Sequence, residues 1–213
     1  FVMGKQNFSR DKKTGTKEQL PIILIVCEGE RTEPNYFDQF EVTNIKIESR
    51  GIGDNTIRLV EYAMKESEKN DYDQVWCVFD KDSFPNHNFN KAVQLAQNKD
   101  FGIAYSNESF ELWYILHFEF LNSQITRNQY IQKLNGIFKS KKHKDFPDSY
   151  RKNDPNIYRI LKPYQDTALK NAKNLSKYYE SELMPSAATQ CPVTYVYKLV
   201  EELNKWIPSH RLD

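Results

Sequence analysis

Six apolar residues in a row, Ile22 to Cys27, run straight into Glu28-Gly29-Glu30, and this junction constrains the chain more than any other stretch. A run so short and so rich in Ile and Val reads as a strand buried on both faces rather than a helix. Strands of that kind belong to parallel sheets covered by helices. The chain turns acidic where the strand ends, and Thr32 with Pro34 after it reads as the opening of a helix through Phe37. In open α/β sheets ligands bind beyond the carboxyl ends of the strands, so Glu28, Glu30 and Glu33 stand where chemistry is usually done.

The rest of the chain repeats the pattern. Thr43 to Ser49 alternates as a second strand, and a Gly51-to-Asn55 turn leads into a helix over Thr56 to Lys69. Tyr72 to Phe79 is a third strand, running directly into Asp80-Lys81-Asp82. Phe84 to Asn90 reads as a loop, Lys91 to Asn98 as a helix, and Phe101 to Tyr105 as a fourth strand. From Glu108 onward the pattern is helical. Phe110 to Leu121 is apolar nearly all round, with Glu111, His117 and Glu119 as exceptions, and Ile125 to Phe138 forms a further helix. Ala168, Ala172, Leu175 and Tyr179 mark a long helix, and Val193, Val196, Tyr197, Val200 and Leu203 the last. The expected fold is α/β: a Rossmann-like, mostly parallel sheet of about four strands flanked by helices, with a helical C-terminal extension. Three parts follow: a basic arm over 1–20, the α/β core over 21–122, and helices over 123–213 packed on that core.

A chain of 213 residues buries roughly 70% of its unfolded surface, enough for one such domain and an extension. No apolar run approaches the ~20 residues of a membrane span, and the N-terminal stretch lacks a signal peptide's apolar core, so the expected location is cytoplasmic. Cys27, Cys77 and Cys191 show no CxxC spacing and read as buried thiols, neither bridges nor zinc ligands. The net charge is only +1, but its distribution is uneven. Lys5, Arg10, Lys12, Lys13 and Lys17 crowd the arm, and Lys133, Lys139, Lys141, Lys142, Lys144, Arg151 and Lys152 a later stretch. The body between them is left acidic. That asymmetry suits a protein that grips a phosphate backbone beside an acidic site, so nucleic acid is the expected partner, with no membrane.

Parallel pairing brings acids from three strand ends to one edge: Glu28, Asp80 with Asp82, and Glu108 or Glu111. Two carboxylates ~4 Å apart repel by about 4 kcal/mol at an effective dielectric of 20, so such a group needs a counter-charge. A divalent cation supplies it, and oxygen ligands without a His or Cys cluster select Mg²⁺ or Mn²⁺. Such an ion orients a nucleophilic water and neutralises charge in phosphodiester cleavage. A strand ending in Asp80 would also suit a nucleoside triphosphatase, but the GxxxxGK[ST] loop that chemistry needs is missing from the sequence.

The stretches CEGERTEPNYF, FDKD and SNESFELWYILHF, in this order and spacing, resemble the RloB or AbiLii family, whose members carry a TOPRIM-type (topoisomerase and primase) core. The resemblance runs from about Ile22 to near the C-terminus. It implies that Glu28 is the TOPRIM glutamate, acting as general acid or base or as a metal ligand, and that Asp80 and Asp82 form the DxD metal pair. It implies further that Asn107, Phe110, Glu111 and His117 are family positions, and it connects the chain with bacteriophage defence. Glu108 departs from the family's usual proline, and Gln190 to Thr194 only loosely matches its late Asn-Pro-Ser-Thr stretch.

The candidate catalytic residues are thus Glu28, Asp80, Asp82 and Glu111, with the first three as metal ligands. Candidate phosphate contacts are Arg31, Lys81, Lys139, Lys141, Lys142 and Lys144. Glu33 has a second reading as a complement to the helix dipole, and His117 as a hydrogen-bonded core residue. The expected activity is a TOPRIM-type endonuclease acting on DNA or RNA as an antiphage effector, with a defence-system protein as a further partner. The alternative is a nucleotide-sensing or nucleic-acid-binding module that scaffolds a partner nuclease.

Overall fold

The computed structural model describes residues 20–141, 146–180 and 186–208. Residues 1–19 of the basic arm, Lys142 and Lys144 lie outside the described residues. A five-stranded sheet in the order β2-β1-β3-β4-β5 forms the centre. Its strands are β1 (Ile22–Cys27), β2 (Lys46–Gly51), β3 (Gln74–Asp80), β4 (Gly102–Asn107) and β5 (Val193–Thr194). The first four are parallel, with Cys27 opposite both Gly51 and Val78, and Asp80 opposite Ser106. β5 pairs antiparallel, with Ser106 opposite Thr194. The helices are α1 (Thr32–Phe37), α2 (Thr56–Lys69), α3 (Asn86–Gln97), α4 (Glu111–Leu116), α5 (Arg127–Lys141), α6 (Ile157–Leu161), α7 (Gln165–Ser176) and α8 (Val196–Asn204).

β1 shows why the sheet needs cover on both sides. Side chains alternate across a strand. Ile23, Ile25 and Cys27 therefore enter one core with α1 and α4 to α8, while Leu24 and Val26 enter the other with α2 and α3. All five are completely buried, each worth about 1.5–3 kcal/mol for the larger aliphatics. The first core is aromatic: Tyr36 meets Phe37, Phe40, Phe110, Tyr114 and Tyr158 at ring separations of 5.3 to 5.9 Å. Trp113 and Tyr114 belong to it.

Some boundaries differ from the sequence reading. α3 begins at Asn86, so most of the expected Phe84-to-Asn90 loop is helix. Pro85 precedes it with a φ of −57°, and the polar Asn-His-Asn start hid the helical period. The all-round apolar run after Phe110 yields only the six residues of α4, because uniform apolarity reports burial and not helix length. Val193, read as helical, lies in β5. Lys139 and Lys141 belong to the last turn of α5 rather than to a loop.

Candidate active site

In the order 2-1-3-4 the chain leaves β1 toward one side and returns to β3 on the other, so the β1/β3 boundary is the topological switch point. Glu28 and Asp80 end these two strands. The Glu28 N–H donates to Val78 O at 2.9 Å, extending the pairing by one residue. Its carboxylate Oε2 then accepts the Asp80 N–H at 3.1 Å. The two acids are therefore fixed against each other by the sheet itself. Past Asp80, the Asp82 N–H donates to Glu108 O at 2.9 Å. Asp82 has a φ of +36°, the left-handed region that Asp tolerates better than most residues. Strain of this kind concentrates at functional sites.

The counter-charge that the sequence argument gave to a divalent cation is supplied in this structure by Arg127. Its guanidinium forks between the pair, Nη2 to Asp80 Oδ2 at 2.6 Å and Nη1 to Asp82 Oδ2 at 2.8 Å. Nε stands 3.8 Å from Glu111 Oε2, too far for a hydrogen bond. A reciprocal cap places Arg127 at the start of α5. The Thr126 N–H donates to Gln129 Oε1 at 2.8 Å and the Gln129 N–H to Thr126 Oγ1 at 3.4 Å. Sequence reasoning missed this residue, although a signal existed. A cation in the first turn of a helix opposes the helix dipole and needs a compensating partner.

Glu33 and Glu111 complete the acidic group. Glu111 opens α4, is 3% exposed and accepts the Tyr150 hydroxyl at 3.2 Å. Glu33 on α1 is 5% exposed, and its Oε2 has no hydrogen-bond partner. A Cβ at Gly29 would collide with that carboxylate, so glycine there lets Glu33 lie against the turn after β1. Gly51 performs the same service for the backbone of Gly29 and Glu30, which a side chain at 51 would strike.

The electrostatics follow from burial of more acid than base. Burial, and then Glu111 and Glu28, push the Glu33 carboxyl up to about 7. Burial and then Glu33 hold Asp80 well above the usual carboxylate range, with Arg127 pulling the other way. Burial also raises Glu28, opposed by the Asp80 N–H and Arg127.

A pocket of about 660 Å³ opens over this group. Glu28, Glu33, Asp80, Glu111 and Arg127 form its floor and walls. Glu30, Arg31, Phe110, Lys152, Asn153 and the 53–55 turn before α2 also line it. The loop carrying Lys152 and Asn153 is tied to α1, where the Thr32 hydroxyl donates to Asn153 Oδ1 at 2.5 Å and Asn35 Nδ2 to Asn153 O at 3.1 Å. Arg31 is thus an exposed cation at the mouth, and Lys152 is a second that the sequence reading did not single out.

The other expected residues lie elsewhere. Lys81 is 8% exposed and donates its ammonium to Phe84 O at 2.6 Å and Asp82 O at 3.3 Å, so here it braces the turn after β3 instead of facing a phosphate. Lys139 and Lys141 sit near the far end of α5, roughly 18–21 Å along the axis from Arg127. Lys141 lies over the rings of Phe118 and Tyr164 at 5.3 and 4.7 Å. His117 is buried with Nδ1 bonded to Trp113 O at 2.9 Å, and burial lowers it to about 4, as suits a neutral core residue.

The donor set suits a hard cation in kind, since every candidate ligand is a carboxylate. With Arg127 forked between Asp80 and Asp82, no group of three His, Cys, Asp or Glu among the described residues is gathered closely enough to hold an ion. Glu28, Glu33 and Asp80 nevertheless line the pocket with carboxylates.

The sequence pattern of a family described as RloB-like protein matches residues 23–203, from the second residue of β1 into α8. The chain belongs to the RloB-like protein family. Comparison with curated proteins and with solved structures returned no match. In this RloB-like chain the matched region takes in every site residue described above, from Glu28 to Arg127 and Asn153. No helix among the described residues is long and apolar enough to cross a membrane.

Proposed function

We propose that this RloB-like protein is a metal-dependent phosphodiesterase of TOPRIM type, an endonuclease acting on DNA or RNA, with a role in defence against phage in the cytoplasm. The observation that carries the reading is the union of Glu28 and Asp80 at the switch point, under a pocket of about 660 Å³. That volume accommodates one nucleotide unit. Glu28, Asp80 and Asp82 are the residues that would hold Mg²⁺ or Mn²⁺, and the ion would activate a water and draw charge from a phosphoryl oxygen.

The chain's own groups do the rest. The Asp80 N–H fixes the orientation of Glu28, so the carboxylate needs no rearrangement to face the pocket. Glu33 lines the pocket with a carboxyl pushed up to about 7, so it can take or give a proton near neutral pH. Arg31 and Lys152 at the mouth complement the phosphates on either side of the bond to be cut. Phe110 at the pocket and the aromatic core behind α1 and α4 exclude water from below.

A second reading is favoured by the Arg127 fork, which keeps Asp80 and Asp82 occupied. On that reading the chain senses a nucleotide or nucleic acid without turnover and positions a partner nuclease. Incubation of the purified chain with plasmid DNA and transfer RNA, with and without Mg²⁺ or Mn²⁺, separates the two. Cleavage that requires the metal and falls roughly hundredfold or more in Asp80→Asn supports the nuclease. Binding without cleavage in every metal supports the sensor.

A further inference from the structure

Resting on the metal-dependent reading above, the geometry points to Arg127 as the residue that changes places with the divalent ion. The guanidinium and the ion occupy the space between Asp80 and Asp82 by turns, and the displaced fork becomes a ligand for a substrate phosphate in the pocket.

Three observations carry this. First, each terminal nitrogen of the fork bonds one carboxylate oxygen, so the guanidinium lies between the two aspartates, where an ion bridging them would sit. Two cations cannot share that space. Secondly, Arg127 is not built in as a permanent core ion pair. Its side chain is one-third exposed and its Nε lacks a hydrogen-bond partner. It also stands on the first residue of α5, after a stretch from 117 to 126 without regular structure. A buried structural arginine ordinarily has its donors satisfied. Thirdly, Arg127 lines the same pocket as Glu28 and Glu33, so the released fork stays beside the position of a substrate phosphate. A planar fork that matches carboxylate oxygens also matches phosphoryl oxygens.

The arrangement explains how five acidic side chains can gather at one edge before any ion arrives, and why they need not separate when it does. Glu111 offers a nearby station for the departing arginine, being 3.8 Å from Nε already.

The test is Mn²⁺ binding by the full chain, followed by electron paramagnetic resonance of the free ion at constant ionic strength, for the wild type, R127A and R127K. Removing the competitor should tighten Mn²⁺ binding about tenfold or more in R127A. R127K, which keeps the charge and loses the fork, should tighten it several-fold. Should R127A fail to fold, R127K alone decides. Equal Mn²⁺ affinity in the wild type and the folded variants would overturn the exchange while leaving the metal-dependent reading standing. Absence of Mn²⁺ binding in all three would overturn both. With Mn²⁺ saturating, inorganic phosphate should bind the wild type several-fold more tightly than R127A; equal binding would remove the second role of the arginine.

Discussion

Two arginines of this molecule each hold a pair of carboxylates, and the outcomes are opposite. Arg50 on β2 bonds Glu48 at 3.0 Å, Glu66, and the hydroxyls of Tyr62 and Tyr72 at 3.1 and 3.0 Å. Lys46 and Lys69 stand beside the same acids, and Glu48 and Glu66 are held below the usual carboxylate range, by Lys46 and Lys69 first and by Arg50 after them. At Arg127 the acids outnumber the base, burial dominates, and Asp80, Glu28 and Glu33 are all pushed up. One cluster sets three cations against two acids and is partly solvated, and so ties β2 to α2. The other carries surplus negative charge in a cleft, which costs stability and suits a site that receives a cation.

The largest effect expected from this difference is on the response to neutralisation. The double variant Asp80→Asn, Asp82→Asn should abolish cleavage while melting at the parent's temperature or above in the absence of metal, as strained sites often do. If Mg²⁺ binds as proposed, the parent should gain about 2.7 kcal/mol at a hundredfold excess over Kd, and the double variant should lose most of that gain. Arg50→Ala should instead lower the melting temperature by several degrees and leave catalysis unchanged. Thermal unfolding with a metal titration measures both. Metal-free unfolding of the aspartate variant would make the two clusters alike and break the contrast.

A smaller effect, of opposite sign in the two places, is expected with pH. Glu33 has a folded pKa of about 7, above its unfolded value, so its contribution is present in full in acid and is lost as the pH rises through about 4.5 to 7. Glu33→Gln should therefore raise the melting temperature most at pH 8 and hardly at all at pH 4. Glu48, with its pKa lowered, contributes above its unfolded value and loses that contribution as the pH falls. Glu48→Gln should accordingly cost stability at pH 7 and little at pH 3. Parallel profiles for the two variants would show that their surroundings do not differ as described.

The smallest effect concerns Lys139 and Lys141, exposed on α5 and remote from the pocket. If they touch phosphates of a bound duplex, replacing both by Gln should flatten the log-log salt dependence of binding by up to about 0.9 per contact. An unchanged slope, measured by fluorescence anisotropy, would leave the cations at the pocket mouth as the phosphate grip.

Much of this was legible in the residues. The Ile22-to-Cys27 run, the Thr56-to-Lys69 period and the acids after each apolar stretch determine the parallel order, and the order alone brings Glu28 to Asp80. What was hidden depends on distances along the chain that no local period records. Arg127 reaches Asp80 across 47 positions and Tyr150 reaches Glu111 across 39. α6 and β5 are too short, at five and two residues, to show a period at all. Glu33 was seen as a helix-start acid; its burial against the Gly29 turn, with Glu111 and Tyr114 nearby, depends on neighbours that only the sheet brings together.

β5 carries a consequence for synthesis of the chain. The outer edge of β4 stays bare until Val193 and Thr194 reach it, when the Ser106 and Thr194 hydroxyls meet at 2.9 Å and the Tyr195 N–H bonds Tyr105 O at 2.8 Å. A nascent chain at ~5–20 residues per second exposes that open edge for several seconds after β4 has left the ribosome. During that interval the half-made sheet offers a template for foreign strands, and the two-residue strand that closes it is made only after the whole of α4 to α7.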